Sequence, residues 1–180
     1  MILQTMAMNG YWSIGLRYPD STSIGHICGR RLSHPECFGN VRKEIITGED
    51  WSDFISLPPQ DSIENRLVQL LRYLETQHPQ QDWGRWLEGE TAAWPQVIIS
   101  GHSQGGGHAA LIGKLYSLAR VVMFSAPVDT LQDGSPAPWL QTSGRTPIPL
   151  YVGFDSVHDP LWPKISTNWE VMGLPGLPVR

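Results

Sequence analysis

The sequence predicts an α/β fold in which a mostly parallel, open sheet is flanked by helices. Three observations support this expectation. Short apolar, β-branched runs of strand length alternate with helical patterns along the second half of the chain. These runs are almost continuously apolar, as strands covered on both faces are. The length of 180 residues fits a single domain, residues 1–180, with a substantial core.

Four segments have the composition of strands. The first, "YWSIGLRYP" at 11–19, is aromatic and β-branched and ends at a proline. The others are "QVIIS" at 96–100, "RVVMFSAP" at 120–127 and "PLYVGF" at 149–154. We therefore expect an open sheet of at least four strands, covered by helices on both faces.

The strongest helical pattern is "DSIENRLVQLLRYLETQ" at 61–77, whose four leucines recur at helical spacing. Asp61 is the expected N-cap, with Glu64 three residues later in a capping-box arrangement. Residues 20–60 are otherwise irregular. Further helical segments are expected near 40–46, at 105–118 and at 163–173, with a short turn within 82–87.

Composition excludes several classes of function. The net charge of −4 leaves no basic surface for nucleic acid. No apolar run approaches the roughly 20 residues of a membrane span. The first ten residues lack the features of a signal peptide, and no metal or cofactor motif is present. Cys28 and Cys37 are either free thiols or a loop-closing disulfide, and a disulfide would indicate an oxidising compartment.

The segment "GHSQG" at 101–105 matches G-x-S-x-G, with a predicted strand before it and a predicted helix after it. Such a turn projects the serine hydroxyl of Ser103 above the edge of the sheet. Larger residues at Gly101 or Gly105 are expected to collide with a neighbouring strand or helix. Ser103 would lie at a helix N-terminus, where the N–H of Gln104 is an expected oxyanion-hole donor.

With these residues the sequence resembles the α/β-hydrolase superfamily over most of its length. "GHSQGG", "RVVMFS" and "QDSIENRL" look like a little-characterised bacterial branch of predicted hydrolases. The resemblance implies a partial α/β-hydrolase fold and the order serine, acid, histidine along the chain. It also implies a serine esterase that acts on a small-molecule ester or acyl substrate through an acyl-enzyme, without a cofactor.

The resemblance places the acid in the loop after "PLYVGF". Asp159, which begins "DPLWP", is the favoured acid, followed by Asp155 and then by Asp129 at the end of the preceding strand. A different interpretation stays open, because an aspartate before a proline often caps a turn.

The general base is harder to assign, because no histidine follows Asp159. His158 is adjacent to Asp159, but neighbouring side chains point apart, so His158 would need Asp155 or Asp129 to orient it toward Ser103. A simpler explanation is that the chain is truncated at both ends and lacks the triad histidine and the second oxyanion donor. The alternative function is a catalytically inactive binding protein of the same fold, with Trp139 and Trp162 as candidate pocket residues.

Overall fold

The computed structural model describes residues 2–29, 31 and 33–174. The ends of the expected 1–180 domain, residue 1 and residues 175–180, lie outside this part. Within these ranges, no helix has both the length and the apolar character to cross a membrane. The α-helices are α1 (Ile2–Met8), α2 (Ile24–Cys28), α3 (Cys37–Thr47), α4 (Ile63–Gln77), α5 (Gln104–Leu115) and α6 (Trp162–Met172). The strands are β1 (Leu87–Glu88), β2 (Thr91–Ala92), β3 (Ile98–His102), β4 (Arg120–Phe124) and β5 (Tyr151–Phe154).

Strands β3, β4 and β5 form a three-stranded parallel sheet in that order, and β1 pairs with β2 in a small antiparallel hairpin. Ile98 is paired with Arg120, and Val121 with Tyr151. The chain therefore has a mixed α/β structure built on a parallel sheet. The expected fourth parallel strand is absent from the described residues.

The prediction of a strand at 11–19 is wrong. This segment has no regular structure, and its aromatic residues make individual ring contacts. The ring of Trp12 lies 4.8 Å from that of Trp83 and 5.8 Å from that of Trp86. The ring of Tyr18 lies edge-on to His108 at 4.9 Å. Aromatic and β-branched composition therefore marks partly exposed ring contacts here, because a strand also needs a neighbouring strand to pair with.

One face of the sheet carries the helices. A Cβ atom on Gly113 of α5 would lie 2.6 Å from Val121 Cγ2 and 2.5 Å from the Tyr151 hydroxyl. A Cβ atom on Gly153 would lie 2.4 Å from the Trp169 ring of α6. Strand alternation and the parallel register put Val121, Tyr151 and Gly153 on the same face. Helices α5 and α6 therefore both lie on that face.

The opposite face, which we call the open face, consists of Ile98, Val122, Phe124, Val152 and Phe154 with the polar residues between them. The rings of Phe124 and Phe154 are stacked 5.6 Å apart, and Phe154 is 49% exposed. No helix in the described part of the chain packs on this face. The expectation of helices on both faces is therefore wrong for the described part of the chain, in which helices pack on one face of the sheet.

Helix α4 begins one residue later than the sequence predicts. Its N-cap is Ser62, whose Oγ accepts a hydrogen bond from the N–H of Asn65 at 3.2 Å. The Asp61 carboxylate instead pairs with Arg66 at 2.5 Å. Glu64 does not complete a capping box, because with Ser62 as N-cap it is the second residue of the helix, and its carboxylate accepts a hydrogen bond from the Tyr116 hydroxyl.

The other expected helices are present with shifted bounds. Helix α3 extends beyond the predicted 40–46, and a short 3-10 helix, Trp83–Trp86, forms the expected turn. Gly173 ends α6 in the left-handed conformation, with φ 77°, as predicted.

Cys28 and Cys37 form a disulfide, which decides between the two alternatives left by the sequence. Cys28 is the last residue of α2 and Cys37 is the first residue of α3. Both side chains are buried in the core. The disulfide therefore ties two short helices together at their meeting point.

Candidate active site

Ser103 occupies the sharp turn between β3 and α5. Its backbone has φ 53° and ψ −119°, a conformation that residues other than glycine rarely adopt. Its N–H donates to the carbonyl of Phe124 at 2.9 Å, which anchors the turn to the end of β4. The Ser103 side chain is exposed. The predicted strand–serine–helix geometry is therefore present, and residues 101–105 are called the serine turn below.

The two glycines of the serine turn have different structural roles. A Cβ atom on Gly101 would lie 2.2 Å from the carbonyl carbon and oxygen of Gly105, so position 101 admits no side chain. For a Cβ atom on Gly105 the nearest atom is the Tyr18 hydroxyl at 3.7 Å, an ordinary contact. The expected collision at Gly105 is therefore wrong, because that side of the helix faces Tyr18 and not a strand.

Gln104 makes three polar interactions, and none of them uses its backbone N–H. Its carbonyl accepts from Arg42 Nη1 at 3.0 Å, and its side-chain Oε1 accepts from the N–H of Ile24 at 2.9 Å. The same side chain also interacts with Tyr18, whose pKa is raised mainly by burial. Gln104 is the first residue of α5, so its N–H has no partner within the helix. That N–H remains available as the predicted oxyanion donor.

Three polar residues line the carboxyl edge of the sheet, because Ser103, Ser125 and Asp155 each follow directly after a strand. Ser125 has φ 47°, and its N–H donates to the carbonyl of Phe154 at 2.9 Å. Its hydroxyl donates to Asp155 Oδ1 at 2.8 Å. The second oxygen of Asp155, Oδ2, is buried and has no hydrogen-bond partner. Asp155 is therefore a partly satisfied carboxylate at this edge.

Asp159, the acid favoured by the sequence, lies in the turn that leads into α6. Its Oδ1 accepts from the N–H of Leu161 at 2.7 Å, which is the turn-capping role that the sequence left open. His158 is exposed, and its backbone N–H donates to Ser156 Oγ at 3.2 Å. In the described ranges, the His158 imidazole forms no hydrogen bond. The structure therefore does not join His158 to Ser103 or to a carboxylate.

Asp129 is not available to orient a histidine. Its two oxygens accept from Arg42 Nη2 at 2.6 Å and from Arg42 Nε at 2.7 Å. Oδ2 also accepts from Trp139 Nε1 at 2.8 Å. Asp129, Arg42 and Trp139 are all buried, so Trp139 belongs to the core and not to a pocket wall. Sequence reasoning did not single out Arg42, since its partner lies 87 residues away along the chain.

The histidine nearest to Ser103 along α5 is His108. It is buried, and neither of its ring nitrogens has a hydrogen-bond partner. Burial, followed by the nearby positive charge of Arg42, holds its pKa well below the ordinary value. His108 is therefore a neutral core residue. Of the six histidines, all described, none forms a hydrogen bond with Ser103.

Comparison of the chain with known proteins finds no matching family model, no significant match among curated proteins and none among solved structures.

Proposed function

We propose that this chain is a serine hydrolase of the α/β-hydrolase type that acts on a carboxylic ester. The observation that carries the proposal is the backbone of Ser103, held with φ 53° between a parallel strand and a helix. The turn is so tight that position 101 admits no side chain. A serine in that geometry presents its hydroxyl away from the sheet, beside the free N–H groups of a helix N-terminus.

The reaction proceeds through an acyl-enzyme. The Ser103 oxygen attacks the ester carbonyl carbon while a general base removes the hydroxyl proton. The Gln104 N–H stabilises the oxyanion that forms, and the alcohol leaves with a proton returned by the base. Water then attacks the acyl carbonyl by the same route and releases the carboxylic acid and free Ser103.

Two aspartates compete for the role of the acid. Asp159 follows from the family resemblance, whereas Asp155 has the better local geometry. A carboxylate that orients a histidine needs a free oxygen facing the site, and Oδ2 of Asp155 is buried without a partner. Oδ1 is engaged in both residues, by Ser125 in Asp155 and by Leu161 in Asp159, so the difference is that Asp155 directly follows β5 at the edge that carries Ser103. We expect Asp155→Asn to slow Ser103 acylation far more than Asp159→Asn, and the reverse order would assign the role to Asp159.

The base proposed from the sequence is His158, the histidine that shares a loop with both aspartates. Its exposed side chain would have to turn toward Ser103 for this role, since it makes no hydrogen bond in the structure. His158→Gln tests the assignment directly. Loss of the base should lower the acylation rate by several orders of magnitude, and an unchanged rate would show that the base comes from elsewhere.

The proposal is tested by labelling with a fluorophosphonate, which reacts with activated serines. Peptide mapping should locate the label on Ser103, and Ser103→Ala should abolish it. Ser143→Ala is the control, because Ser143 is an exposed serine in the loop beside Lys114, at the opposite end of α5 from Ser103. Label on Ser125, or no label on a folded wild-type chain, would contradict the proposal.

The second candidate function is a non-catalytic binding protein for a small acyl ligand. One observation favours it, because no described histidine is hydrogen-bonded to Ser103. Such a protein would fail to label with the fluorophosphonate, yet its tryptophan fluorescence would respond to titration with a short-chain fatty acid. Labelling at Ser103 would exclude it.

A further inference from the structure

A buried ion pair lies directly behind the serine turn. Arg42, in the middle of α3, and Asp129, in the segment after β4, are each about 2% exposed. Two parallel hydrogen bonds of 2.6 and 2.7 Å join the guanidinium to the carboxylate. This bidentate arrangement fixes the plane of the guanidinium as well as its distance from Asp129.

The third donor of the guanidinium faces the serine turn. Arg42 Nη1 donates to the carbonyl of Gln104, the residue that follows Ser103. The guanidinium also lies against Gly107, where an added Cβ would be 2.3 Å from Nη2 and 2.4 Å from Cζ. Gly107 therefore leaves the space through which Arg42 reaches the first turn of α5.

The carboxylate side of the pair is itself held in place. Trp139 Nε1 donates to Asp129 Oδ2 at 2.8 Å. Asn168 Nδ2, in α6, donates to the carbonyl of Pro127 at 3.0 Å and to that of Asp129 at 3.4 Å. The pair thus connects α3, α6 and the segment after β4 to the beginning of α5.

Stability alone does not account for this arrangement. Desolvation of two buried charges usually offsets their attraction, and apolar replacements of such pairs are often neutral or stabilising. Directional hydrogen bonds between a planar guanidinium and fixed acceptors do, however, set the position of the groups they bind. The group bound by the third donor here is the carbonyl next to Ser103.

We propose that Arg42 is a positioning residue, which holds the first turn of α5 so that Ser103 and the Gln104 N–H keep the geometry needed for acylation. This inference rests on the proposed function of Ser103. Arg42 is buried behind the turn and acts through Gln104 and not on substrate. A displacement of about 1 Å at a reacting group lowers a rate by about 100-fold, so loss of Arg42 should slow acylation by roughly 10- to 100-fold.

Three variants disrupt the interaction of Arg42 with the first turn of α5 in different ways. Arg42→Met with Asp129→Leu removes both charges together and leaves no unpaired ion. Arg42→Lys keeps the charge beside Asp129, but a single ammonium does not reproduce the planar fork that also reaches Gln104. Gly107→Ala retains the pair and displaces the guanidinium, although alanine is the better helix former by about 1 kcal/mol.

Two control variants match these changes. Gly25→Ala adds the same methyl group in α2, where nothing lies within 4 Å of it. Arg72→Met removes an ion pair with Glu90 that is largely exposed. Neither position contacts the serine turn, so both controls should retain wild-type behaviour.

The first measurement separates the limiting inactivation rate constant of a fluorophosphonate from its apparent binding constant. In the Arg42 and Gly107 variants the rate constant should fall 10- to 100-fold, with a binding constant within about twofold of wild type. A purely structural role predicts loss of folded protein but a normal rate constant in the fraction that is folded. Folded variants with the wild-type rate constant would overturn the inference.

The second measurement does not depend on labelling. The N–H of Gly107 donates to the Ser103 carbonyl at 3.2 Å, and its hydrogen exchange reports opening of the first turn of α5. Exchange at Gly107 should accelerate in the two Arg42 variants while exchange in β4 stays unchanged, and wild-type exchange at Gly107 in both would overturn the inference. A wild-type chain that does not label would contradict the proposed function. The exchange measurement would still test whether Arg42 fixes the first turn of α5.

Discussion

At the scale of single residues, Lys114 is a buried lysine near the end of α5. Its ammonium donates to the carbonyl of Leu140 at 2.9 Å and to that of Thr142. Burial lowers its pKa from 10.5 to about 8. Because desolvation disfavours the charged form, the folded chain releases this proton at a lower pH than the unfolded chain does.

This difference predicts a pH dependence of stability. Between pH 8 and 10.5 the unfolded chain binds a proton that the folded chain has released, so the free energy of unfolding rises with pH. We expect a gain of about 1 to 1.5 kcal/mol between pH 8 and 9.5 from urea unfolding, because the folded lysine is still partly protonated at pH 8. The window ends near pH 10, because Tyr116 and Tyr151 have raised pKa values and reverse the slope above it. Lys114→Met should lack the gain and exposed Lys164→Met should keep it; a gain retained in Lys114→Met would refute the assignment.

Residues whose chemistry depends on nearby sequence were predictable, and those with distant partners were not. Ser103 and the steric requirement at Gly101 follow from a five-residue motif with its flanking strand and helix. The Arg42–Asp129 pair joins residues 87 positions apart, and Asp155 meets Ser125 across 30 positions. No local pattern encodes such contacts, because they arise only when strands and helices have packed.

At the scale of elements, α2 is a five-residue helix that depends on tertiary contacts. Ser23 caps it, and the disulfide from Cys28 joins its last turn to the start of α3. An isolated helix of this length is unstable in water. The disulfide and the hydrogen bond from Ile24 to Gln104 therefore place α2 beside the serine turn.

Replacement of both cysteines by serine should lower the free energy of unfolding by about 2–3 kcal/mol, the loop-closure value for a crosslink of this span. Denaturant unfolding of the double variant and of the oxidised wild type measures the difference. Wild type treated with a dithiol is the control and should shift by a similar amount. Equal stability of the oxidised and reduced proteins would contradict a structural role for the crosslink.

Elements with strong internal periodicity were predicted well, and their ends less well. Helix α4 exists as expected, yet it begins after Ser62 because the Asp61 carboxylate is bound to Arg66. The segment 11–19 has strand-like composition but packs its rings against Trp83, Trp86 and His108. Composition indicated a strand, but only the tertiary structure decides whether a segment finds a neighbouring strand to pair with.

At the scale of the whole molecule, the three-stranded sheet has one face under α5 and α6 and one open face. Two adjacent residues of β4 differ in exposure for this reason: Val121 is fully buried and Val122 is partly exposed. A mixed α/β structure with a parallel sheet was predictable from alternating strands and helices. The coverage of each face was not, since an apolar run is compatible with either arrangement.

Because one face of the sheet is covered by helices and the other is open, the same substitution should lower the free energy of unfolding by different amounts on the two faces. Val121→Ala leaves a cavity under α5 and should lower the free energy of unfolding by about 2–3 kcal/mol. Val122→Ala removes the same atoms from the open face and should cost less than about 1 kcal/mol. Urea unfolding of the two single variants is the measurement. Equal losses would mean that the open face is covered as thoroughly as the helical face.

The most direct test of the central claim is whether Ser103 becomes acylated. The wild-type chain is mixed with p-nitrophenyl acetate, quenched in acid within seconds and digested for peptide mapping by mass. The proposed function predicts an acetyl group on the peptide that contains Ser103, absent from Ser103→Ala and retained in Ser143→Ala. A folded wild-type chain that carries no acetyl group on Ser103 would contradict the assignment of Ser103 as a nucleophile.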